Sequence, residues 1–557
     1  MKNKYKMLLL SAAAMSLSLA GCENELDITQ KGVDLEKSVD VAYNTDAGAE
    51  AGLAKVYIDT QKNFAFLPET NGYNYGPYFA MTNFQADDIY LAGSGSDDCV
   101  PEREYHDFRF TSDNVVVLGG YTALYRSIHK CNLVVTMVPG TTAVQKRCIA
   151  EARVMRAFDY LTLAIYWGDA PLVEEVLSAD AQPENAESQA FLLDWVVKEI
   201  DLALPDLDER QSTSDTKGAY KITKGFANAI KGKALLWAGK YNEAKAPLKA
   251  VITSGKYDLL PGTDMGRILH ADGKGTCESV FELNYVFVPG ATDGWQQALR
   301  TNCNAHMTFA WRAEQFKNLA GERVVNNGWG WLNPTGQFGR DLIANDGMNS
   351  YRRKAWIVTY DELLSDDGWW LKPAEGKGIA KGAVLACCEG FFNFKTCCHP
   401  NQGDISSDGR QTRNFPIMRY AEVLLLYAEA CAQTGDNDGL QYLNMIQNRA
   451  GSAHVSSALT LDEVKKEKQF ELWMEGCRSA DIIRWGDTKG LEEADFYTPG
   501  FDENGQIVTN NGSYSATFYK DTYGSSLGFK KGKNEFLPFP LKVTDLNKGL
   551  KQHAGWN

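Results

Sequence analysis

The sequence lacks several features that would assign it to common functional classes. It has no lysine- or arginine-rich stripe, and its 57 basic residues are outnumbered by 71 acidic ones, which gives a net charge of −14. A nucleic-acid-binding protein normally has a basic face, so we exclude nucleic acid as a partner. No phosphate-binding glycine loop, His-Glu-x-x-His motif or Gly-x-Ser-x-Gly motif is present. We therefore predict no catalytic residue and no enzymatic activity.

An apolar run long enough to cross a bilayer is also missing, since such a run needs about 20 residues. The N-terminus instead has the layout of a secretory signal. Three lysines within the first six residues precede an apolar run from Met7 to Ala20, and small residues close it. We predict that residues 1–21 are a signal peptide.

The sequence Leu19-Ala20-Gly21-Cys22 ends this segment. It resembles the bacterial lipoprotein box, and the resemblance implies that Cys22 is lipidated. Several acyl chains anchor a protein firmly where one chain does not. The acidic stretch after Cys22 (residues 23–27) resembles a tag for export to the cell surface. We predict a lipid-anchored protein of the outer membrane that faces the exterior.

The twelve cysteines predict no metal site. Removing Cys22 leaves an odd number, so they cannot all pair within the chain. Four lie in helical patterns and are predicted to be small buried hydrophobic residues: Cys131, Cys148, Cys431 and Cys477. The pairs Cys387-Cys388 and Cys397-Cys398 are adjacent residues, a spacing that suits tetrahedral zinc poorly. Disulfides and buried thiols both remain open for these pairs.

A calcium loop can be drawn at Asp436-Asn437-Asp438-Gly439, but the later ligands of an EF-hand are absent. We predict a turn between helices at this point. We predict no cofactor, and structural calcium stays an open alternative.

Helical periodicity predicts a mainly α fold. The predicted helices are residues 121–138, 151–167, 191–204, 417–430 and 440–449, with a helix pair over residues 223–254. Small residues and a short glycine-bearing turn in this pair resemble one tetratricopeptide unit, so we expect stacked helix pairs to form a scaffold. Arg419 and Glu422 are one turn apart in the predicted helix 417–430 and are expected to pair. Residues 280–285 are predicted to be a short strand.

Long irregular stretches separate these helices, at about residues 60–115, 258–350 and 365–415. They are rich in Gly, Asn, Asp and aromatic residues, and loops of this length in a compact protein are usually functional or disordered. The aromatic content favours function. Flat aromatic rings and polar side chains together suit a ligand that has an apolar face and a polar edge. The predicted ligand-binding residues are Tyr73, Tyr75, Tyr78, Asn83, Trp295, Arg300, Trp311, Trp329 and Trp331. Asp87 and Asp88 are predicted to cap a helix or turn.

Four segments and the C-terminal tail carry a family resemblance. They are Arg156–Leu161 with Tyr166–Val173, Met418–Ala430, Leu443–Gly451, and Phe470–Arg478 with Asp481–Gly486, followed by Leu537–Pro540. Together and in this order they resemble the SusD/RagB family of outer-membrane nutrient-binding lipoproteins. The sequence departs from the family's pattern at Cys477, where His is frequent, and at Phe539, where Ile or Leu is frequent. The charged residues within these segments are predicted to form ion pairs, because an unpaired buried charge is costly: Arg419, Glu422, Glu475, Arg478 and Asp481.

The resemblance implies a single SusD-like domain over residues 22–557, with tetratricopeptide-like helices on one side and a loop-built ligand site on the other. It implies that the protein captures a glycan without cleaving it and passes it to a SusC-like TonB-dependent transporter. The family's ligand residues vary, so no residue is carried over from it. The alternatives are a glycoside hydrolase, a peptide-capturing protein as in one branch of the family, and a scaffold that binds only proteins.

Overall fold

The computed structural model describes residues 43–64, 76–91, 98–286, 308, 310–312, 328–364, 385–397, 404, 412–502, 504–508, 510–511 and 514–556. Within these ranges the chain is mainly helical, as predicted. The helices are α1 (Asp46–Asn63), α2 (Pro77–Asn83), α3 (Val100–His106), α4 (Val115–Met137), α5 (Ala143–Trp167), α6 (Gln189–Ala203), α7 (Thr216–Ala219), α8 (Lys224–Trp237), α9 (Tyr241–Ile252), α10 (Gly336–Asp346), α11 (Tyr351–Trp356), α12 (Tyr360–Leu364), α13 (Tyr420–Thr434), α14 (Gly439–Ala450), α15 (Leu461–Glu471), α16 (Arg478–Trp485), α17 (Lys489–Glu493), α18 (Ala516–Tyr523) and α19 (Leu541–Leu546).

The strands in the described residues are short and pair in small antiparallel sheets. They are β1 (Ile89–Leu91), β2 (Ser279–Leu283), β3 (Leu332–Pro334), β4 (Ile357–Thr359), β5 (Leu385–Ala386), β6 (Phe391–Asn393), β7 (Phe415–Arg419), β8 (Gly500–Phe501), β9 (Ile507–Val508), β10 (Asn510–Asn511) and β11 (Tyr514–Ser515). The strand predicted at residues 280–285 is confirmed as β2. None of the described helices has both the length and the apolar character needed to span a bilayer.

Stacked helix pairs form the scaffold. Helix α4 packs on α5, α5 on α6, and α8 on α9, while α9 also packs on α13 and so joins the C-terminal helices to the stack. In the α8–α9 pair, a Cβ atom at Gly232 would lie 2.4 Å from Leu248 Cγ, so the small residue allows close approach. Gly239 makes the turn with φ +70°. The predicted helix pair is confirmed, and its second helix, α9, begins at Tyr241.

The prediction of one helix over residues 417–430 is wrong at its start. Ile417 and Arg419 belong to β7, which pairs with β2, and Tyr420 N then donates to Glu278 O at 2.8 Å. Helix α13 begins only at Tyr420, and it ends at Gly435, which has the left-handed backbone that helix ends favour. The apolar periodicity runs through β7 and α13 without a break. The boundary between them is therefore set by the pairing of β7 with β2 and not by the local sequence.

A buried charge cluster joins parts of the chain that are far apart in the sequence. We define it as Arg352, Arg419, Arg449 and Lys395 with Asp346, Glu278, Glu467, Glu471 and Glu475. Arg352 is fully buried, and its Nε lies 2.8 Å from Asp346 Oδ2. Both Arg419 and Arg449 contact Glu278 and Glu471. Each charge in the cluster therefore has an opposite charge beside it, as burial requires.

These contacts confirm the predicted ion pairs but correct one partner. Arg419 does not pair with Glu422, because the Arg419 side chain is taken by the buried charge cluster and Glu422 pairs with Lys233 at 2.8 Å. Arg478 pairs with Asp87 at 2.7 Å, and Asp481 pairs with Arg484 at 2.7 Å.

The described cysteines are thiols. Cys131, Cys148 and Cys431 are buried in helices as predicted, whereas Cys477 is half-buried just before α16. Of the two alternatives for the adjacent pairs, the structure shows buried thiols at Cys387, Cys388 and Cys397, and Cys398 lies outside the described residues.

The predicted turn at residues 436–439 is confirmed. Asp436 pairs with Lys245 at 3.2 Å and Asp438 pairs with Lys249 at 2.7 Å. These carboxylates therefore connect the α13–α14 turn to α9.

Candidate functional site

A two-stranded ribbon joins two of the long stretches that were predicted to carry function. Strand β1 pairs with β3, with Tyr90 opposite Asn333 and Leu91 opposite Leu332. Asn333 Oδ1 in turn accepts from Asn393 N at 3.0 Å, which attaches β6 to the ribbon. The ribbon thus holds parts of all three stretches in one fixed arrangement.

At one end of the ribbon, residues 328–331 lie against residues 308–312. Gly330 N donates to Ala310 O and Trp331 N donates to Thr308 O, each at 2.8 Å. The approach requires glycine at position 328, because a Cβ atom there would lie 2.3 Å from Ala310 O. This contact brings three predicted residues together, namely Trp311, Trp329 and Trp331.

The three tryptophans differ in exposure. Trp331 is 7% exposed and packs edge-on against Phe84 of the main core. Trp311 is 3% exposed, its Nε1 donates to Asn393 O, and its ring packs against Phe392 and Phe394 in a second, smaller core. Trp329 is half-buried, with its ring 5.6 Å from that of Trp331. Trp329 is therefore the most accessible of the three rings.

A charged pair lies beside Trp329. Arg312 Nε donates to Trp329 O at 3.1 Å, and Arg312 Nη2 lies 3.2 Å from Asp98 Oδ2. Both charged side chains remain partly exposed. Asp98 was not among the predicted site residues, since 214 residues separate it from Arg312 and no local pattern indicates the contact. The arrangement therefore attaches a partly exposed ion pair to the backbone of a half-buried tryptophan.

Two other predicted residues lie on α2. Tyr78 is half-buried and its ring lies 4.4 Å from that of Phe64 and 5.7 Å from that of Phe158. Burial raises the pKa of Tyr78 to about 12, so it remains a neutral phenol. It lines a separate cleft that also contains the Lys233–Glu422 pair. Asn83 is buried, and its amide connects two parts of the backbone: Nδ2 donates to Phe79 O at 3.1 Å and Oδ1 accepts from Gly476 N at 2.9 Å.

The remaining predicted site residues lie outside the described residues. They are Cys22, Tyr73, Tyr75, Trp295 and Arg300.

The prediction that Asp87 caps a helix or turn is wrong, whereas the same prediction for Asp88 stays a prediction. Asp87 accepts two hydrogen bonds from Arg478, at 2.7 and 2.8 Å. Asp88 is 2% exposed, and its Oδ2 accepts no hydrogen bond from the described residues. Burial, together with the charge of Asp87, raises the pKa of Asp88 to about 7. Within the part of the chain that the structure describes, no group of three His, Cys, Asp or Glu side chains could hold a metal ion.

Comparisons with known proteins identify relatives that are described as SusD or SusD-like proteins. The family model described as the SusD family matches residues 285–556. A SusD-like protein of Bacteroides ovatus is 23% identical, over 86% of this chain and 82% of that protein. The starch-binding protein SusD of Bacteroides thetaiotaomicron is 20% identical over the full length of both chains.

Solved structures share the fold. Surface glycan-binding protein A from Bacteroides thetaiotaomicron, in complex with laminarihexaose, superposes with a TM-score of 0.69 and 21% identity, over 92% of this chain and 100% of that one. A laminarin-binding SusD-like protein gives a TM-score of 0.69 and 20% identity over the same shares of the two chains.

Proposed function

This chain belongs to the SusD/RagB family, and from that premise we propose that it captures a glycan at the cell surface without cleaving it. One observation carries the proposal. Trp329 is held at the end of the β1–β3 ribbon with Arg312 and Asp98 beside it. A sugar ring can lie with its C–H face on the tryptophan and its hydroxyls against the charged pair.

The relatives support the same ligand class. Two of them are described as binding starch and laminarin, and a third was solved with laminarihexaose. All of these descriptions name binding rather than cleavage. For this chain we propose an oligosaccharide or polysaccharide ligand, and Trp329 as the residue that contributes most to its binding.

A panel of polysaccharides and peptides tests the proposal. The parent protein should be retarded in native gels that contain one of the polysaccharides, and Trp329→Ala should weaken that binding by about tenfold or more, as loss of a central aromatic contact does. Phe191→Ala is the matched control, since Phe191 is an exposed aromatic residue on α6 of the scaffold, and it should bind like the parent. Binding of peptides but no saccharide would contradict the proposal, and so would release of shorter sugars from the bound glycan.

Anchoring and delivery form a second part of the proposal. The lipoprotein-box sequence that ends at Cys22 supports acylation of that residue, and the family supports a SusC-like TonB-dependent transporter as the partner. Cells fed a labelled fatty acid should label the parent protein but not Cys22→Ser. The parent should also co-purify with an outer-membrane barrel after mild solubilisation. A parent protein that takes up no labelled fatty acid would refute the lipid anchor. A parent protein that purifies without an outer-membrane barrel would refute the transporter as its partner.

We also propose that residues 22–557 form a single domain. The buried charge cluster supports this, because it connects Glu278, directly before β2, with Glu471 at the end of α15. Unfolding in one cooperative transition is the expected result. Two separate transitions would indicate two domains.

A further inference from the structure

A cleft of about 250 Å³ lies beside Tyr90 on the β1–β3 ribbon. Its polar and aromatic lining includes Tyr90, Arg340, Glu389, Asp495, Phe496 and Tyr497, and none of the three tryptophans contributes to it. Pockets for drug-sized ligands occupy about 300–1,000 Å³. The cleft is therefore large enough for one small ring but not for a chain of rings.

The polar groups of the cleft are already held in place. Tyr90 Oη donates to Glu389 Oε1 at 2.6 Å, and Arg340 Nη1 lies 3.4 Å from Glu389 Oε2. The Glu389 carboxylate also presses against the start of α10, where a Cβ atom at Gly336 would lie 1.6 Å from Oε2. Burial, followed by Glu389 itself, raises the pKa of Tyr90, so this side chain stays a hydrogen-bond donor at neutral pH. A ligand would meet a preformed site.

The charge balance selects the kind of ligand. Three carboxylates line the cleft, those of Asp87, Glu389 and Asp495, but Arg340 is its only lining cation among the described residues. Asp87 is neutralised by Arg478, to which it is doubly hydrogen-bonded. The remaining groups have a negative balance, so an anionic ligand would be repelled. Hydroxyl groups, in contrast, can donate to the carboxylates and to the Tyr90 oxygen, and can accept from Arg340.

We propose that this cleft is a second carbohydrate site, which binds one uncharged sugar ring independently of Trp329. The inference takes its ligand class from the proposed function. The ring would lie against Phe496 and Tyr497 with its hydroxyls directed at Glu389. The ribbon holds both sites: Tyr90 faces the cleft, and Trp331, next to Trp329 in space, directly precedes β3.

The test uses monosaccharides, which are too small to need the long binding surface of a polysaccharide. We would titrate the purified full-length protein with glucose, galactose, mannose and xylose, and with glucuronate as the anionic counterpart of glucose, and follow binding by saturation-transfer NMR. At least one neutral sugar should bind. Glucuronate should bind less well than glucose. Glu389→Gln removes the charge but keeps the shape of the side chain. It should weaken binding of the neutral sugar by about tenfold, which is the usual effect of losing a charge-assisted hydrogen bond.

Phe191→Ala, an exposed aromatic residue on α6 of the scaffold, is the matched control variant and should leave monosaccharide binding at the parent level. Tyr90→Phe is a second variant that preserves the shape of the ribbon, and it should also weaken binding. Soaking crystals of the parent protein needs no variant at all. Density for the sugar beside Glu389 supports the proposal, whereas a sugar found elsewhere, or none, overturns it.

The two proposals fail in different ways. A parent protein that retains no polysaccharide but binds glucose at Glu389 refutes the proposed function and leaves the cleft as a sugar site. Polysaccharide retention without any monosaccharide binding refutes the cleft alone. Parent-like monosaccharide binding by Glu389→Gln also refutes the second site, and so does binding of glucuronate that is as strong as that of glucose.

Discussion

Replacing Glu471 with glutamine tests whether the buried charge cluster stabilises the fold. Glu471 is fully buried at the end of α15 and contacts Arg352, Arg419 and Arg449. Burial alone would raise the pKa of this carboxyl. The three guanidinium groups outweigh burial and, with Lys395, lower the pKa of Glu471 from 4.5 to about 2.

The size and sign of the effect follow from this shift. Because the folded pKa is below the unfolded one, the contribution of Glu471 to stability is present above pH 4.5 and is lost as the pH falls toward 2. A shift of this size corresponds to about 3 kcal/mol. Glutamine removes that contribution and leaves three buried guanidinium groups short of a counter-charge, and breaking a buried pair in this way costs about 3–5 kcal/mol.

Urea unfolding followed by circular dichroism measures the effect. At pH 7 we expect Glu471→Gln to unfold at a clearly lower urea concentration than the parent, and we expect its stability to fall less between pH 5 and pH 2.5. Glu493→Gln is the control, since Glu493 and Lys489 are both exposed, and it should match the parent. Parent-like stability of Glu471→Gln at pH 7, with an unchanged acid dependence, would refute the reasoning.

Three further predictions concern single residues. Asp88→Asn should stabilise the protein at pH 8 more than at pH 4. The folded pKa of Asp88 is raised from 3.8 to about 7. The contribution of Asp88 to stability is therefore fully present below pH 3.8 and is lost as the pH rises through 7. Equal urea midpoints for this variant and the parent at pH 8 would contradict it. Asn83→Ala should lower stability by about 1–3 kcal/mol, because it leaves the Gly476 N–H without its acceptor, and an unchanged thermal midpoint would exclude that. Gly328→Ala should weaken glycan retention, since its Cβ atom would push Ala310 away from Trp329, whereas Gly266→Ala, where a Cβ atom meets nothing within 4 Å, should bind normally; equal retention by the two variants would argue against the tryptophan site.

The scaffold could be predicted from the sequence because its signals are local. Residues 191–204, 121–138 and 440–449 were predicted as helices, and α6, α4 and α14 cover them with shifts of a few residues. Helix α13 covers the rest of the predicted range and continues to Thr434. Its start was missed because β7 exists only through pairing with β2, which is far away in the sequence.

The candidate site could be predicted only in part. Aromatic residues in long loops indicated Trp329 and Trp331, and the structure does bring these two rings together. Composition cannot distinguish a ring in the core from one near the surface, and Trp311 proved to be buried in the second core. The partners of polar groups could not be predicted from the sequence either. Arg312 meets Asp98, and Tyr90 meets Glu389, only after the chain has folded.

Ligand binding depends on the β1–β3 ribbon, so it tests whether the chain has folded completely. Tyr90 and Glu389 are 299 residues apart in the sequence, and contacts across such long loops form late because loop closure must be achieved first. A partly folded or misassembled molecule could keep its helices, and hence its circular dichroism signal, yet have no ribbon. Retention on a sugar matrix would separate such molecules from native ones, which makes it a stricter quality check of a purified sample than helix content.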